Sequence, residues 1–515
     1  MDICRQVLNA DPMHFDALHL LGVITNQSGD GERDIGLIGN AIQQNPQHPY
    51  AHNNLGLALE AQGKLDEAMA SYRRALEVKP DYAQAYSNLL LLHAYHATLE
   101  PAAYLLLARG WELACVPALE REVAGKRSFK CPPLAGRRLK IAYVSGDFRQ
   151  HAVSYFIEQL FACHDRARVE LYAYSTDGTR DAITERIQAM VEHWLPVAGL
   201  SDTALRERIE ADGIDVLIDL SGHTAHNRLG VFARRAAPVQ VHYLGYFAST
   251  GLSEMDYFIG DAVLTPPEMD KHFTEQVWRL PRIRASYDGK ADAPKPDWRP
   301  DPAGTIRVGS FSNLGKLTTE TFALWSKVLH ALPHGQLLLK TKELTDAGNR
   351  QRILDAMAAQ GIPPERIELQ SSEITPGWRE HMAYYNRLDI ALDPVGAHGG
   401  YTTSCDALWM GVPVITLEGD RMATRMTASI LSAIGHPEWI AHSEADYVDK
   451  VVALARDVEQ RQALRSLQRE RMAGSSLCDA KGLASRLEDS YCEMFERWDE
   501  AQGQKVSMPP LSSRL

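Results

Sequence analysis

The stretch from Leu388 to Thr416, LDIALDPVGAHGGYTTSCDALWMGVPVIT, gathers glycines, hydroxyls and a carboxylate at spacings that could hold a diphosphate. It reads as a buried strand (LDIALDP), a small loop (VGAHGG), a helix opening on Tyr401, Thr402 and Thr403, and a second buried strand (VPVIT). Gly400 and then the hydroxyls and backbone N–H groups are thereby delivered to a helix N-terminus, where unpaired amides and the helix dipole both favour negative charge. Asp406 follows about one turn into the helix, within reach of a ribose hydroxyl. An anion cradle followed by a carboxylate suits a nucleotide-sugar donor. An ordinary β-α-β crossover whose loop merely needs glycine carries the same pattern.

Two series of short Val/Ile/Leu/Tyr runs must position these groups. The first comprises residues 139–148, 169–175, 214–222, 239–247 and 256–264; the second comprises 306–313, 336–342, 366–371, 388–393 and 412–417. Helical stretches alternate with them, as in parallel sheets buried on both faces. A Pro-rich joint, DAPKPDWRPDPAG, separates the two series. Two α/β lobes so joined imply a ligand cleft near the carboxyl ends of their strands.

That rule selects further candidates. Asn313 and Lys316 follow the first strand of the second series, and Lys316 could meet a diphosphate leaving group as a point charge. A solvated loop lysine has the same spacing. His381 lies on a helix leading into LDIALDP, where its ring could flank a nucleotide or serve a structural role. In the first series His151 follows SGDFRQ and His223 follows LIDLSG. Either could take a hydroxyl proton near neutral pH. Asp219 precedes a tight turn and Asp261 ends a strand, so both read as structural. H-E-x-x-H, Walker and G-x-S-x-G motifs are absent from the sequence, against protease, NTPase and serine-hydrolase chemistry.

The first hundred residues carry a repeat. Pro12, Pro46 and Pro80 recur every 34 residues, as do Ala17, Ala51 and Ala85, Leu21, Leu55 and Leu89, Gly22 and Gly56, and Gly29 and Gly63. This is the helix-turn-helix grammar of tetratricopeptide repeats. Val7 and Leu8 match Ala41-Ile42 and Ala75-Leu76, so the first residues read as the second helix of another unit. A peptide-binding groove, with Asn54 and Asn88 as an amide ladder, and a dimerisation or docking module both fit. Leu20 occupies the third ladder position.

Composition bounds the rest. At 515 residues, 45% hydrophobic and 23% charged, the chain is ordinary globular protein of several domains. A net charge of −12 argues against a broad nucleic-acid surface. The polar start lacks the apolar core of a signal peptide, and no apolar run approaches the ~20 residues that span a bilayer. Seven scattered cysteines, none in a C-x-x-C pair, fit a reducing cytoplasm better than a disulfide or zinc framework.

The motifs IAYVSGDFRQH, DLSGHTAHNRLG, APVQVHYLGY, GSFSNLGKLT and GGYTTSCDALWMGVPVIT, in this order behind the repeats, resemble the nucleocytoplasmic O-GlcNAc transferases in a bacterial form. The resemblance runs across nearly the whole chain. It implies an all-α tetratricopeptide superhelix fused to an α/β GT-B core of two Rossmann-like lobes. The expected divisions are repeats and helical bridge at 1–124, an acceptor-side lobe at 137–291, a donor-side lobe at 303–480, and a crossover helix and tail at 481–515. The final helix is expected to cover the first lobe, and the closing KVSMPPLSSRL to be mobile.

The implied activity is inverting, metal-independent transfer of N-acetylglucosamine from UDP-GlcNAc to Ser/Thr hydroxyls of proteins in the cytoplasm. No cofactor, nucleic acid or membrane is expected; acceptors would be recruited through the repeats, and a homodimer is compatible. By the same resemblance, Asn313 and Lys316 match the donor-phosphate motif, and His381 a histidine near uridine and diphosphate. Thr402 and Thr403 match phosphate-binding hydroxyls, and Asp406 the ribose-binding acid. His151 matches the histidine proposed as general base, with His223 the alternative catalytic or sugar-positioning ring. Tyr401 stands where histidine is typical, Gly399 where asparagine is, and Trp378 where a phosphate-side lysine is. DLSGHTAHNRLG and GSFSNLGKLT also resemble the SPINDLY branch, whose members transfer fucose from GDP-fucose. A nucleotide-binding scaffold without catalysis, an enzyme acting on a small molecule, lipid or glycan, and an epimerase are the rival readings.

Overall fold

The computed structural model describes residues 1–28, 31–96, 98–289 and 292–507. Gly29 of the repeat and most of the terminal KVSMPPLSSRL lie outside the described residues. The chain divides into two compact units that do not follow chain order. One holds Met1–Tyr104 with Gly289–Ser475, and the other Leu105–Asp288 with Ser476–Leu515.

In the first unit the 34-residue repeat becomes antiparallel helix pairs. Helices Phe15–Ser28 and Gly31–Gln44 form one pair, and Pro49–Ala61 and Leu65–Val78 the next. Helix Ala83–Tyr95 opens a third. Gly56 shows why the repeat keeps a small residue there: a Cβ on it would lie 2.4 Å from the buried ring of Tyr72. The preceding helix Asp2–Ala10 places Cys4, Val7 and Leu8 against Ala17 and Leu21, as a second repeat helix would.

The same unit contains a six-stranded parallel sheet formed by β8 (Ile306–Ser310), β9 (Gly335–Thr341), β10 (Ile367–Ser371), β11 (Ile390–Leu392), β12 (Val414–Leu417) and β13 (Ile440–Ala441). Its order is β10-β9-β8-β11-β12-β13. Order therefore reverses between β8 and β11, the switch point at which Rossmann-like sheets bind ligands. Trp298 anchors the Pro-rich joint, with the guanidinium carbons of Arg461 and Arg465 at 5.6 and 5.5 Å from its ring centroid. Arg465 is buried and donates to the carbonyls of Met410 (2.9 Å) and Tyr385 (3.4 Å). It thus places a cation at the carboxyl end of helix Thr402–Trp409, where the dipole favours one.

The second unit has a seven-stranded parallel sheet formed by β1 (Leu139–Ser145), β2 (Val169–Ser175), β3 (His193–Pro196), β4 (Val216–Asp219), β5 (Val239–His242), β6 (Tyr257–Asp261) and β7 (Gln276–Leu280). The order is β3-β2-β1-β4-β5-β6-β7, with its switch point between β1 and β4. The bridge helix Pro101–Cys115 belongs here: Glu112 accepts from the Ser253 amide and hydroxyl at 3.1 and 2.9 Å. Helix Ala480–Ser507 returns to the same sheet. Its buried Glu488 meets His164 Nδ1 and the Asp165 amide, each at 2.9 Å, and Ser490 accepts from Trp278 Nε1 at 3.0 Å.

The sheets contain three strands that the apolar runs did not announce, β3, β7 and β13. All three lie at sheet edges, and β3 and β7 are partly solvated. They need not be uniformly apolar, so HWLP and QVWRL escape a search for buried runs. Among the described residues no single helix is long and apolar enough to cross a membrane.

Candidate functional site

The candidate donor residues of the first unit converge on its switch point. Strand β8 ends at Ser310 and delivers Ser312, Asn313 and the short turn Leu314–Lys316. Strand β11 ends at Leu392, followed by Asp393 and the glycine loop. Lys316 Nζ donates to the Gly399 carbonyl at 2.9 Å, and the Ser312 and Thr403 hydroxyls are 3.4 Å apart. Helix Thr402–Trp409 opens at Tyr401 without a side-chain cap, so its first amides suit an anionic ligand. Asp406 is buried on the same helix, one turn in.

Asp393 holds the loop to the sheet. Its fully buried carboxylate accepts from the Gly400 amide at 2.6 Å and the Thr416 hydroxyl at 2.7 Å. Thr427 donates to the Gly400 carbonyl at 2.8 Å. A Cβ on Gly400 would fall 2.4 Å from Ser404 Oγ and 2.7 Å from Asp393 Oδ1, so this turn admits only glycine without rearrangement. Burial pushes the Asp393 carboxyl up to about 6, against the pull of the Thr416 and Gly400 hydrogen bonds.

A testable pH dependence follows. Between the ordinary carboxylate range and about pH 6 the native state holds a proton that the unfolded chain releases. Stability from this group is therefore greatest in acid and lost as pH rises through about 6, by a total of order 3 kcal/mol. The stability of the parent protein relative to Asp393→Asn should grow as pH falls from 7 to 4, read by denaturant melts. A pH-independent difference would contradict this account of Asp393.

His381 is positioned from beneath. Lys340, at the carboxyl end of β9, donates from Nζ to His381 Nδ1 at 2.7 Å. The proton of the neutral ring then sits on Nε2, which lies 3.9 Å from Asp406 Oδ2. Burial, with Lys340 adding to it, pulls the imidazole down to about 4, so the ring is neutral at pH 7. Lys340 is itself buried and lowered to about 8 by desolvation, with the Phe311 and Tyr384 ring centroids 5.3 and 5.4 Å away. Trp378 begins the helix that carries His381 and supplies no charge.

The second unit brings its own candidates to its switch point, His151 after β1 and His223 after β4. His151 is half-buried, with Nδ1 3.4 Å from Asp147 Oδ1 and 3.3 Å from the Val153 amide. Burial lowers its pKa and the Asp147 carboxylate opposes that shift. His223 differs. It is completely buried, with Nε2 2.9 Å from the Thr250 carbonyl and the Trp111 and Tyr246 rings edge-on at 5.7 and 5.6 Å. Its pKa falls to about 4 because the cation would be desolvated. A ring held this way suits positioning better than proton transfer.

Asp219 accepts from the Ser221 and Gly222 amides and meets His242 Nδ1 at 2.7 Å, while Asp261 accepts from Val263 and Leu264 amides. Both are turn-forming residues. Among the described residues one His/acid grouping has metal-like spacing, Glu170, Glu192 and His193. Glu170 and His193 lie at the amino ends of β2 and β3, the opposite end of the sheet from His151 and His223. In the repeats, Asn54 and Asn88 do not stand alone. His19, Asn54, Asn53 and Asn88 form one chain of side-chain hydrogen bonds, with 2.9 Å links at His19–Asn54 and Asn53–Asn88.

Lys340, Asp393 and Asp147 went unread in the sequence. Each follows or ends a strand, and attention to carboxyl-end polar residues alone would have raised all three.

Tetratricopeptide-type helix pairs and two Rossmann-like parallel sheets, one with a glycine loop and an uncapped helix start at its switch point, define a repeat-bearing double-Rossmann architecture. The chain belongs to glycosyl transferase family 41, whose profile matches residues 102–286 and 300–487; a tetratricopeptide profile matches 49–82. A solved structure of a lysine-to-methionine variant of Thermobaculum terrenum O-GlcNAc transferase is 37% identical, with a TM-score of 0.88 over 97% of this chain and 94% of that one. The probable UDP-N-acetylglucosamine–peptide N-acetylglucosaminyltransferase SPINDLY of Petunia hybrida is 37% identical over 70% of this chain and 39% of its own length. The corresponding SEC protein of Arabidopsis thaliana is 32% identical over 70% of this chain and 37% of its own. The chain spans less than half the length of these two plant relatives.

Proposed function

We propose that this protein transfers N-acetylglucosamine from UDP-GlcNAc to Ser/Thr hydroxyls of polypeptides, with inversion and without a metal. The observation that carries the reading is the Lys316 ammonium on the Gly399 carbonyl, at the loop leading into the uncapped helix Thr402–Trp409. There a fixed cation and oriented amides would stabilise a departing diphosphate, the task a divalent ion performs elsewhere. Asp406 would hold the ribose, His381 would donate from Nε2 toward the nucleotide, and Thr402 and Thr403 would contact phosphate. The O-GlcNAc transferase activity of the Thermobaculum relative and the peptide N-acetylglucosaminyltransferase names of the plant relatives support the donor and the peptide acceptor.

GDP-fucose is the second reading, motivated by Tyr401 in the donor turn and by the resemblance of DLSGHTAHNRLG and GSFSNLGKLT to the fucose-transferring branch. Calorimetric titration with UDP, UDP-GlcNAc, GDP and GDP-fucose, followed by mass spectrometry of an acceptor peptide, separates the two. Uridine nucleotides should bind at least ~10-fold more tightly than guanosine nucleotides, a gap of about 1.4 kcal/mol. The reverse order would transfer the assignment to fucose, and binding without transfer would leave a scaffold.

Lys340 provides a pH signature. In this reading it supplies the buried cation that Trp378 does not, and its ammonium deprotonates near pH 8. UDP affinity should therefore fall as pH rises from 7 to 9. Lys340→Met should bind more weakly at pH 7 and show no such fall. An identical pH profile in parent and variant would remove Lys340 from the site.

A further inference from the structure

The repeats meet the donor loop at Tyr95. Helix Ala83–Tyr95 ends where the Tyr95 carbonyl accepts from the His398 amide at 2.8 Å. The Tyr95 ring stacks on the His398 imidazole, with centroids 5.2 Å apart and planes 17° from parallel. Lys316 Nζ lies 5.9 Å from the centroid of the same ring, within cation–π range. Lys316 Nζ and His398 Nδ1 then converge on one acceptor, the Gly399 carbonyl, at 2.9 and 2.6 Å. Tyr95 therefore touches both the lysine and the loop that set the donor cradle, while belonging to neither strand that carries them.

We infer that Tyr95 is a positioning residue for donor binding, so that the repeat array completes the nucleotide site in addition to any role in acceptor recruitment. The inference rests on the donor reading above. Its physical basis is rotational. Lys316 stands on a three-residue turn, and the His398–Gly399 segment belongs to a loop whose glycines restrain the backbone little. An aromatic plate fixed by its own main chain restricts both at once. Donor binding then begins with the ammonium and the loop amides already oriented, and less ordering is left to be done on binding.

The test uses the full chain and UDP calorimetry, with melting of the nucleotide-free protein measured alongside. Tyr95→Phe, which keeps the ring, should bind UDP within about 2-fold of the parent, and Tyr95→Leu should bind ~10-fold more weakly with unchanged nucleotide-free melting. Donor KM should rise in parallel. Should Tyr95→Leu fold poorly, His398→Leu removes the same stack from the other side and should give the same loss. Parent-like UDP affinity in the leucine variant, or equal loss in Tyr95→Phe and Tyr95→Leu, overturns the role of the ring. Failure of the donor reading looks different: the parent itself binds neither UDP nor GDP, or Lys316→Ala binds as the parent does.

Discussion

Replacing Lys316 with alanine is expected to lower sugar transfer by ~100-fold or more while the protein stays folded. The size follows from chemistry: a preorganised charge aimed at a developing anion commonly contributes ~3–4 kcal/mol at the transition state. The structure adds a reason to expect clean folding. Lys316 is half-buried on a short surface turn, and its Nζ bonds to the Gly399 carbonyl of a loop that Asp393 and Thr427 also hold. Its loss therefore leaves the Gly399 carbonyl with His398 Nδ1 and opens no core cavity. Turnover at saturating donor, with melting measured in parallel, distinguishes the outcomes. A variant retaining near-parental turnover would exclude Lys316 from leaving-group stabilisation. A fall confined to KM would make it a binding residue whose contribution is equal in ground and transition states.

His151→Ala is expected to reduce kcat by ~100-fold or more with donor affinity preserved, as for loss of a general base. Burial holds the His151 ring below the ordinary histidine range, and Asp147 beside Nδ1 offsets that shift only in part. The acid limb of the kcat profile should accordingly fall below the ordinary histidine range, and Asp147→Asn should move it to still lower pH. His223→Ala gives the contrast. Removing a wholly buried ring packed against Trp111 and Tyr246 should lower the melting temperature, consistent with a destabilisation of roughly 2–4 kcal/mol. Equal and small kcat losses in both variants would point to a proton relay through water.

Much of the candidate donor half was legible because its parts are local. Thr402, Thr403 and Asp406 share one helix, and Asn313 and Lys316 one turn. Gly400 sits where strand, loop and helix succeed one another within a dozen residues. The repeat helices were legible for a similar reason, since each unit buries the same face at the same period. Edge strands were harder to see. Residues such as His193, Trp194, Gln276 and Arg279 sit at the margins of the seven-stranded sheet, where solvent on one side relaxes the demand for apolar residues.

The amino-acid sequence by itself determined the repeat architecture, the two strand series and the position of the glycine loop and helix start, because periodicity and helix-start chemistry act over a few turns. Tertiary structure alone decided the electrostatics. Lys340 reaches His381 only because β9 ends beside the helix from Trp378 to Tyr384, and the His223 cation is disfavoured because packing, with Trp111 and Tyr246 against the ring, buries it completely. Tyr95 acquires a part in the donor loop across about three hundred residues of chain. Desolvation and charge pairing depend on which side chains exclude water from one another, and that is settled by packing between elements rather than by spacing within them.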